Sequence, residues 1–121
     1  MKQEDKELLL RDLCARLPYG VKVLYENDVF NIDYISSMYE EVHLDIVDNY
    51  TIGVSDVKTY LFPLSSMTPK QKAELSMIVV GEEDLFKAFL IEVEFYHKHH
   101  IDYRGLIPKG LAIDASRLNI Y

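Results

Sequence analysis

The sequence predicts an α+β fold, and three observations predict it. Apolar residues near the start recur at helical spacing, the period drops to two between residues 21 and 58, and a capped start at Thr68 returns the chain to helical spacing. The expected order is an N-terminal helix, a meander of four to five short antiparallel strands, and two C-terminal helices in a single domain over residues 1–121.

The first helix is expected over residues 3–17. Leu10, Leu13, Cys14 and Leu17 stand at i, i+3, i+4 and i+7, Leu9 widens the stripe, and charged residues take the other side. On this reading Cys14 is an inert buried thiol. Pro18 ends the helix by driving the preceding residue out of the α region, and Gly20 supplies a turn.

Strands follow. Val21, Val23 and Tyr25 alternate with Lys22, Leu24 and Glu26, while Phe30, Ile32 and Tyr34 alternate with Asn31, Asp33 and Ile35. Glu26, Asn27 and Asp28 between these runs suit a hairpin turn. A third run sets Val42, Leu44 and Ile46 against His43 and Asp45. Asp48 and Asn49 make the next turn, a weaker fourth strand over residues 50–54 is interrupted by Gly53, and a fifth lies around residues 57–61. A helix followed by such a meander has the layout of small SH3-like or Sm-like barrels, so closure into a barrel is an allowed variant, by analogy of topology alone.

Residues 61–67, with Pro63 and two serines, read as an ordered connector. Thr68 as N-cap, Pro69 at the first helical position and Gln71 as the reciprocal partner start the second helix, which runs to about Val80 and ends at Gly81. Glu82, Glu83 and Asp84 then place negative charge at the start of a third helix, where the macrodipole favours it. Its apolar face is Phe86, Phe89, Leu90, Val93 and Tyr96, and it continues to about His100. The tail, with Gly105, Pro108 and Gly110, reads as irregular.

Composition bounds the function. With 49% apolar and 27% charged residues in 121, the chain can bury a self-supporting core. One cysteine forms no intramolecular disulfide, and charges in MKQEDKELLL interrupt any secretory signal, so a cytoplasmic location is expected. No apolar run approaches the roughly 20 residues that span a bilayer, and no helix has a basic polar face, so no membrane is expected.

The formal charge of −7 is concentrated. Residues 19–67 hold eight acids and two bases, and between Lys22 and Lys58 the only cationic candidate is His43. Such a field repels phosphate and attracts cationic surfaces, so direct nucleic-acid binding is disfavoured and the expected partner is a protein with a basic surface. The expected partner-binding residues are Asp28, Asp33, Glu40, Glu41, Asp45 and Asp48 with the aromatic anchors Tyr39 and Tyr50. A purely solubilising charge is the plainer reading, and self-association is also open.

The phrases DLCARLPYGVKV, DVKTYLFPLSSMTPKQK and HIDYRGLIPKGLAIDA resemble a family of short proteins of gut anaerobic bacteria, often carried on prophages and other mobile elements. The likeness spans most of the chain. It implies a bacterial or phage cytoplasmic setting and carries no catalytic residue onto this sequence.

One other group carries chemistry. His97, His99 and His100 with Asp102 are metal-ligand residue types, and Tyr103 and Arg104 beside them suit an anion clamp. The alternative function is therefore a small-ligand-binding protein or minimal metal-dependent hydrolase using His97, His100, Asp102, Tyr103 and Arg104. Against it, histidines in a last helical turn satisfy free carbonyls, and Asp102 can pair with Arg104. The five glycines are too dispersed for a phosphate loop or dinucleotide fingerprint, and no GxSxG or SxxK motif accompanies Ser65 and Ser66. No cofactor and no catalytic residue is expected.

Overall fold

A computed structural model describes residues 1–45 and 51–121. Helix α1 (Gln3–Arg16) leads through a 3-10 turn (Leu17–Tyr19) into strands β1 (Lys22–Tyr25), β2 (Asp28–Ser36), β3 (Glu41–Leu44) and β4 (Thr51–Gly53). A second 3-10 turn (Val54–Asp56) precedes β5 (Lys58–Pro63). Helices α2 (Pro69–Val80) and α3 (Leu85–Lys98) follow, then two short strands, β6 (Ile101–Asp102) and β7 (Ala112–Asp114). The α+β class and its element order are those expected.

The sheet runs β4-β3-β2-β1-β5-β6, with β7 also paired to β5. The turn between β1 and β2 has both central residues, Glu26 and Asn27, at positive φ, the geometry whose twist matches a two-residue hairpin. β5 returns beside β1, antiparallel, instead of extending the meander past β4. The described residues form an open sheet and not a closed barrel.

The main core lies where α1 covers the sheet. Leu9, Leu10 and Leu13 meet Val23, Ile32, Val42, Leu44 and Ile52, with Val54 and Val57 closing one end. Burying each of the larger side chains contributes roughly 1.5–3 kcal/mol. A smaller cluster of Leu61, Leu106, Leu111 and Ala112 sits beneath β5.

Four expectations need correction. Cys14 is exposed, because the buried side of α1 is Leu9, Asp12, Leu13 and Arg16, itself an i, i+3, i+4, i+7 set. The alternation on β2 breaks at a bulge between Ile32 and Tyr34, so Tyr34 is exposed and Ile35 packs on the core. The tail is not irregular throughout: β6 and β7 both pair with β5 in parallel. The face of α3 carrying Phe86, Phe89 and Leu90 is exposed, and the buried residues of that helix are Ala88 and Phe95. The predicted turn at Asp48 and Asn49, together with Ile46 and Tyr50, lies outside the described residues.

Candidate functional site

Two places gather side chains that carry chemistry: the outer face of β2 and β3, and the junction of α1, α3 and β6.

On β3, Val42 and Leu44 are buried in the core, and the alternation of the strand sends Glu41, His43 and Asp45 to the opposite face. The bulge on β2 brings Asp33 and Tyr34 to that face as well. His43 Nδ1 donates to Asp33 Oδ2 at 3.1 Å, and the Tyr34 ring stacks on the imidazole with centroids 4.8 Å apart. At one end of β3, Asp45 accepts from the Asn31 backbone N–H at 2.8 Å and from its side-chain amide at 2.9 Å. At the other end the turn carries exposed Met38 and Tyr39. Glu40, at positive φ, accepts from the Gln3 amide of α1 at 2.9 Å.

The expected acidic set is thus only partly assembled. Asp33, Glu41 and Asp45 share one face, with Glu40 and Tyr39 at its border, while Asp28 stands apart beside the β1–β2 turn, opposite Tyr25. Asp48 and Tyr50 lie outside the described residues. Among the described residues no lysine or arginine lies within ion-pair distance of Asp28, Asp33, Glu40, Glu41 or Asp45. Lys22 is nearest in register, opposite Asn31. Alternation already sets His43 with Asp45 on this face, but it puts Tyr34 on the other, because a bulge leaves no signature in an alternating pattern.

At the second place Asp12 and Arg16 are joined at 2.9 Å across one helical turn, with neither side chain exposed. Arg16 also donates to the carbonyls of Ile101 at 2.6 Å and Tyr96 at 3.3 Å, locking α1 to the end of α3 and to β6. Arg104 approaches the other Asp12 oxygen at 3.1 Å, an ion pair without hydrogen-bond alignment. Both guanidinium groups lie near the Tyr103 ring, 5.9 Å and 5.0 Å from its centroid.

The expected ligand-binding residues all lie around this cluster, with their polar groups turned to the fold. His97 Nε2 meets the Tyr103 hydroxyl at 2.7 Å. Burial, then the Arg16 charge, lower the His97 pKa, and burial raises that of Tyr103, so the neutral phenol donates to the neutral imidazole. Asp102 does not pair with Arg104. Its two oxygens accept from the backbone N–H groups of Leu106 and Ile107, each at 2.9 Å, and so shape the loop after β6. His100 takes a positive φ beyond the end of α3 and stacks on Tyr121 with centroids 3.9 Å apart. Burial lowers its pKa to about 4. Among the described residues no three His, Cys, Asp or Glu side chains are grouped to hold a metal ion, and no helix is long and apolar enough to cross a membrane.

Sequence reasoning missed Asp12 and Arg16. The usable signal was their placement with Leu9 and Leu13 on one helical stripe, at the i, i+4 spacing that suits an acid–base pair. Comparison with protein-family models, with curated proteins and with solved structures finds no match to this chain.

Proposed function

We propose that the protein is a non-enzymatic binding module of a bacterial prophage or mobile element, and that it engages a partner protein with a basic surface through the outer face of β2 and β3. The observation that carries this reading is the shared face of Asp33, Glu41 and Asp45, with no lysine or arginine in ion-pair reach among the described residues. Carboxylates on paired strands are held in fixed positions, and their field steers a cationic partner and suppresses an anionic one. Tyr34, Tyr39 and Met38 are exposed beside them and supply the large side chains that interface cores favour. The mobile-element setting rests on the three phrases that resemble the family.

The ligand-binding alternative draws less support. His97 and Asp102 spend their polar groups on partners inside the fold, Arg104 turns its Nε to the buried Asp12, and His100 stacks on Tyr121.

The test is a parallel capture experiment from a bacterial lysate with the natural chain and the variant D33N/E41Q/D45N. A basic protein retained by the natural chain at low salt, released at high salt and absent from the variant supports the proposal. Equal capture by both chains, or no salt-sensitive partner at all, overturns it.

A further inference from the structure

Tyr121 is built into the sheet through its side chain. The register of β1 and β5, Val23 opposite Thr59 and Leu24 opposite Lys58, next sets Lys22 opposite Tyr60. The Tyr121 hydroxyl occupies that rung, accepting from the Lys22 backbone N–H at 3.0 Å and donating to the Tyr60 carbonyl at 2.9 Å. Two residues further on, the same edge of β5 passes to β6, and the Phe62 N–H donates to the His100 carbonyl at 2.8 Å. A tyrosine hydroxyl thus splices the antiparallel neighbour of β5 to a parallel one.

The segment that delivers this ring is held at its two ends. Ala115 is fully buried, and its backbone N–H donates to the Leu61 carbonyl at 2.8 Å. Ser116, Arg117, Leu118 and Asn119 are exposed, and the backbone bonds they make, from Ser116 to Asp114 and from Leu118 to Ala115, stay within that turn. At the far end the Tyr121 ring lies face to face on His100, with centroids 3.9 Å apart and planes at 12°, and tilts against Phe62. Withdrawal of Tyr121 leaves Lys22 and Tyr60 in register to close their own rung, so the sheet does not depend on the latch.

The latch rests on a side chain that has no place for a proton. His100 is 8% exposed, and its Nδ1 is buried without a partner, so an imidazolium formed there lacks an acceptor. Burial comes first in opposing the proton, followed by three cationic or titrating neighbours: Arg16 of α1, the adjacent His99, and Lys22 of β1. On the β5 side stand Tyr60 and Phe62, which carry no charge, and the Tyr121 hydroxyl stays neutral because burial pushes its pKa up to about 12. Asp12 is already paired with Arg16 and Arg104, and among the described residues no carboxylate pairs with His100. Once Tyr121 is lifted away the imidazole meets water and regains its ordinary affinity for a proton.

We propose that residues 116–121 are an acid-released strap: Tyr121 is latched between β1 and β5 while His100 is neutral, and it leaves the sheet when His100 takes up a proton, with the rest of the fold in place. Between pH 7 and pH 4.5 the linkage moves the balance toward release by up to about 50-fold. The strap uses no residue of the acidic face of β2 and β3, so the two proposals fail independently.

Nuclear magnetic resonance of the full chain at pH 7 and pH 4.5 tests the inference. Overhauser contacts between the Tyr121 and His100 rings are expected at pH 7 and lost at pH 4.5, while the methyl groups of Leu13, Val23 and Val42 keep their native shifts. In His100→Asn, which tolerates the positive φ, the Tyr121 shifts are expected to be the same at both pH values. Tyr121→Phe keeps the ring and removes both hydroxyl bonds, and is expected to raise the midpoint of release by about 0.5–1 pH unit. Ring contacts that persist at pH 4.5, or that vanish only when the core shifts collapse with them, overturn the inference. So does a pH response that survives His100→Asn, or a midpoint that Tyr121→Phe leaves unmoved.

Discussion

Asp12 and Arg16 form an ion pair of 2.9 Å with no solvent exposure on either side chain, in a helix that otherwise presents leucines to the sheet. Burying two charges is costly unless their remaining hydrogen-bonding positions are filled. Arg16 meets that condition by donating to Tyr96 and Ile101, and Arg104 adds a second cation beside Asp12. The pair therefore fixes where α1 meets α3 and β6, joining the N-terminal helix to the last third of the chain.

Removing the carboxylate tests this joint. Asp12→Ala leaves two guanidinium groups around Tyr103 without their counter-charge, and the expected loss is about 3–5 kcal/mol in urea unfolding. A loss below about 1 kcal/mol contradicts the role given to the pair.

His100 makes stability depend on pH. Its folded pKa, about 4, lies below the unfolded value near 6.5, so between these values the unfolded chain binds the extra proton. Stability is full above pH 6.5 and falls as pH drops toward 4, by on the order of 1–2 kcal/mol after discounting for solvent screening. His97, shifted in the same direction, adds to the fall. The variant His100→Asn keeps a residue tolerant of positive φ and removes the titrating group. Urea midpoints measured at pH 7 and pH 4.5 should separate less for this variant than for the natural chain; equal separation counts against a buried neutral His100.

The two halves of the Thr68 capping box are both made: Thr68 Oγ1 accepts from Gln71 N at 3.1 Å, and Gln71 Oε1 from Thr68 N at 3.0 Å. Thr68→Ala is expected to cost about 1 kcal/mol, but locally, since α2 buries none of its residues in the rest of the fold. Amide exchange in α2 should quicken about five-fold while the strands keep their protection. A shift of the global unfolding midpoint by the full amount, without faster exchange in α2, runs against that picture.

How much of this the sequence carries depends on whether the signal is local. Thr68, Pro69 and Gln71 mark a helix start by their own side-chain chemistry, and Val42 and Leu44 mark a strand face by simple alternation; both are where expected. The strands β6 and β7 are two and three residues long and exist because β5 offers edges to pair with, which no window of sequence records. Simple alternation puts Tyr34 on the same face as Ile32, and the bulge between them, which alternation does not record, turns it outward. Asp12 and Arg16 looked like a solvated face because charged residues usually are one. Among the candidate site residues, the acids at 33, 41 and 45 gather through β2–β3 pairing, while Asp102 is drawn into a loop whose backbone donors lie four and five residues ahead.

The central claim is that the outer face of β2 and β3 is a receptor for basic protein surfaces. Its most direct test is a nuclear magnetic resonance titration of the natural chain with a short lysine- and arginine-rich peptide, with backbone amide shifts followed residue by residue. The account predicts shifts concentrated at Asp33, Tyr34, Glu41, His43 and Asp45 that vanish in high salt and in D33N/E41Q/D45N. Shifts spread over Glu82, Glu83 and the other acids alike, or none on β2 and β3, would contradict it.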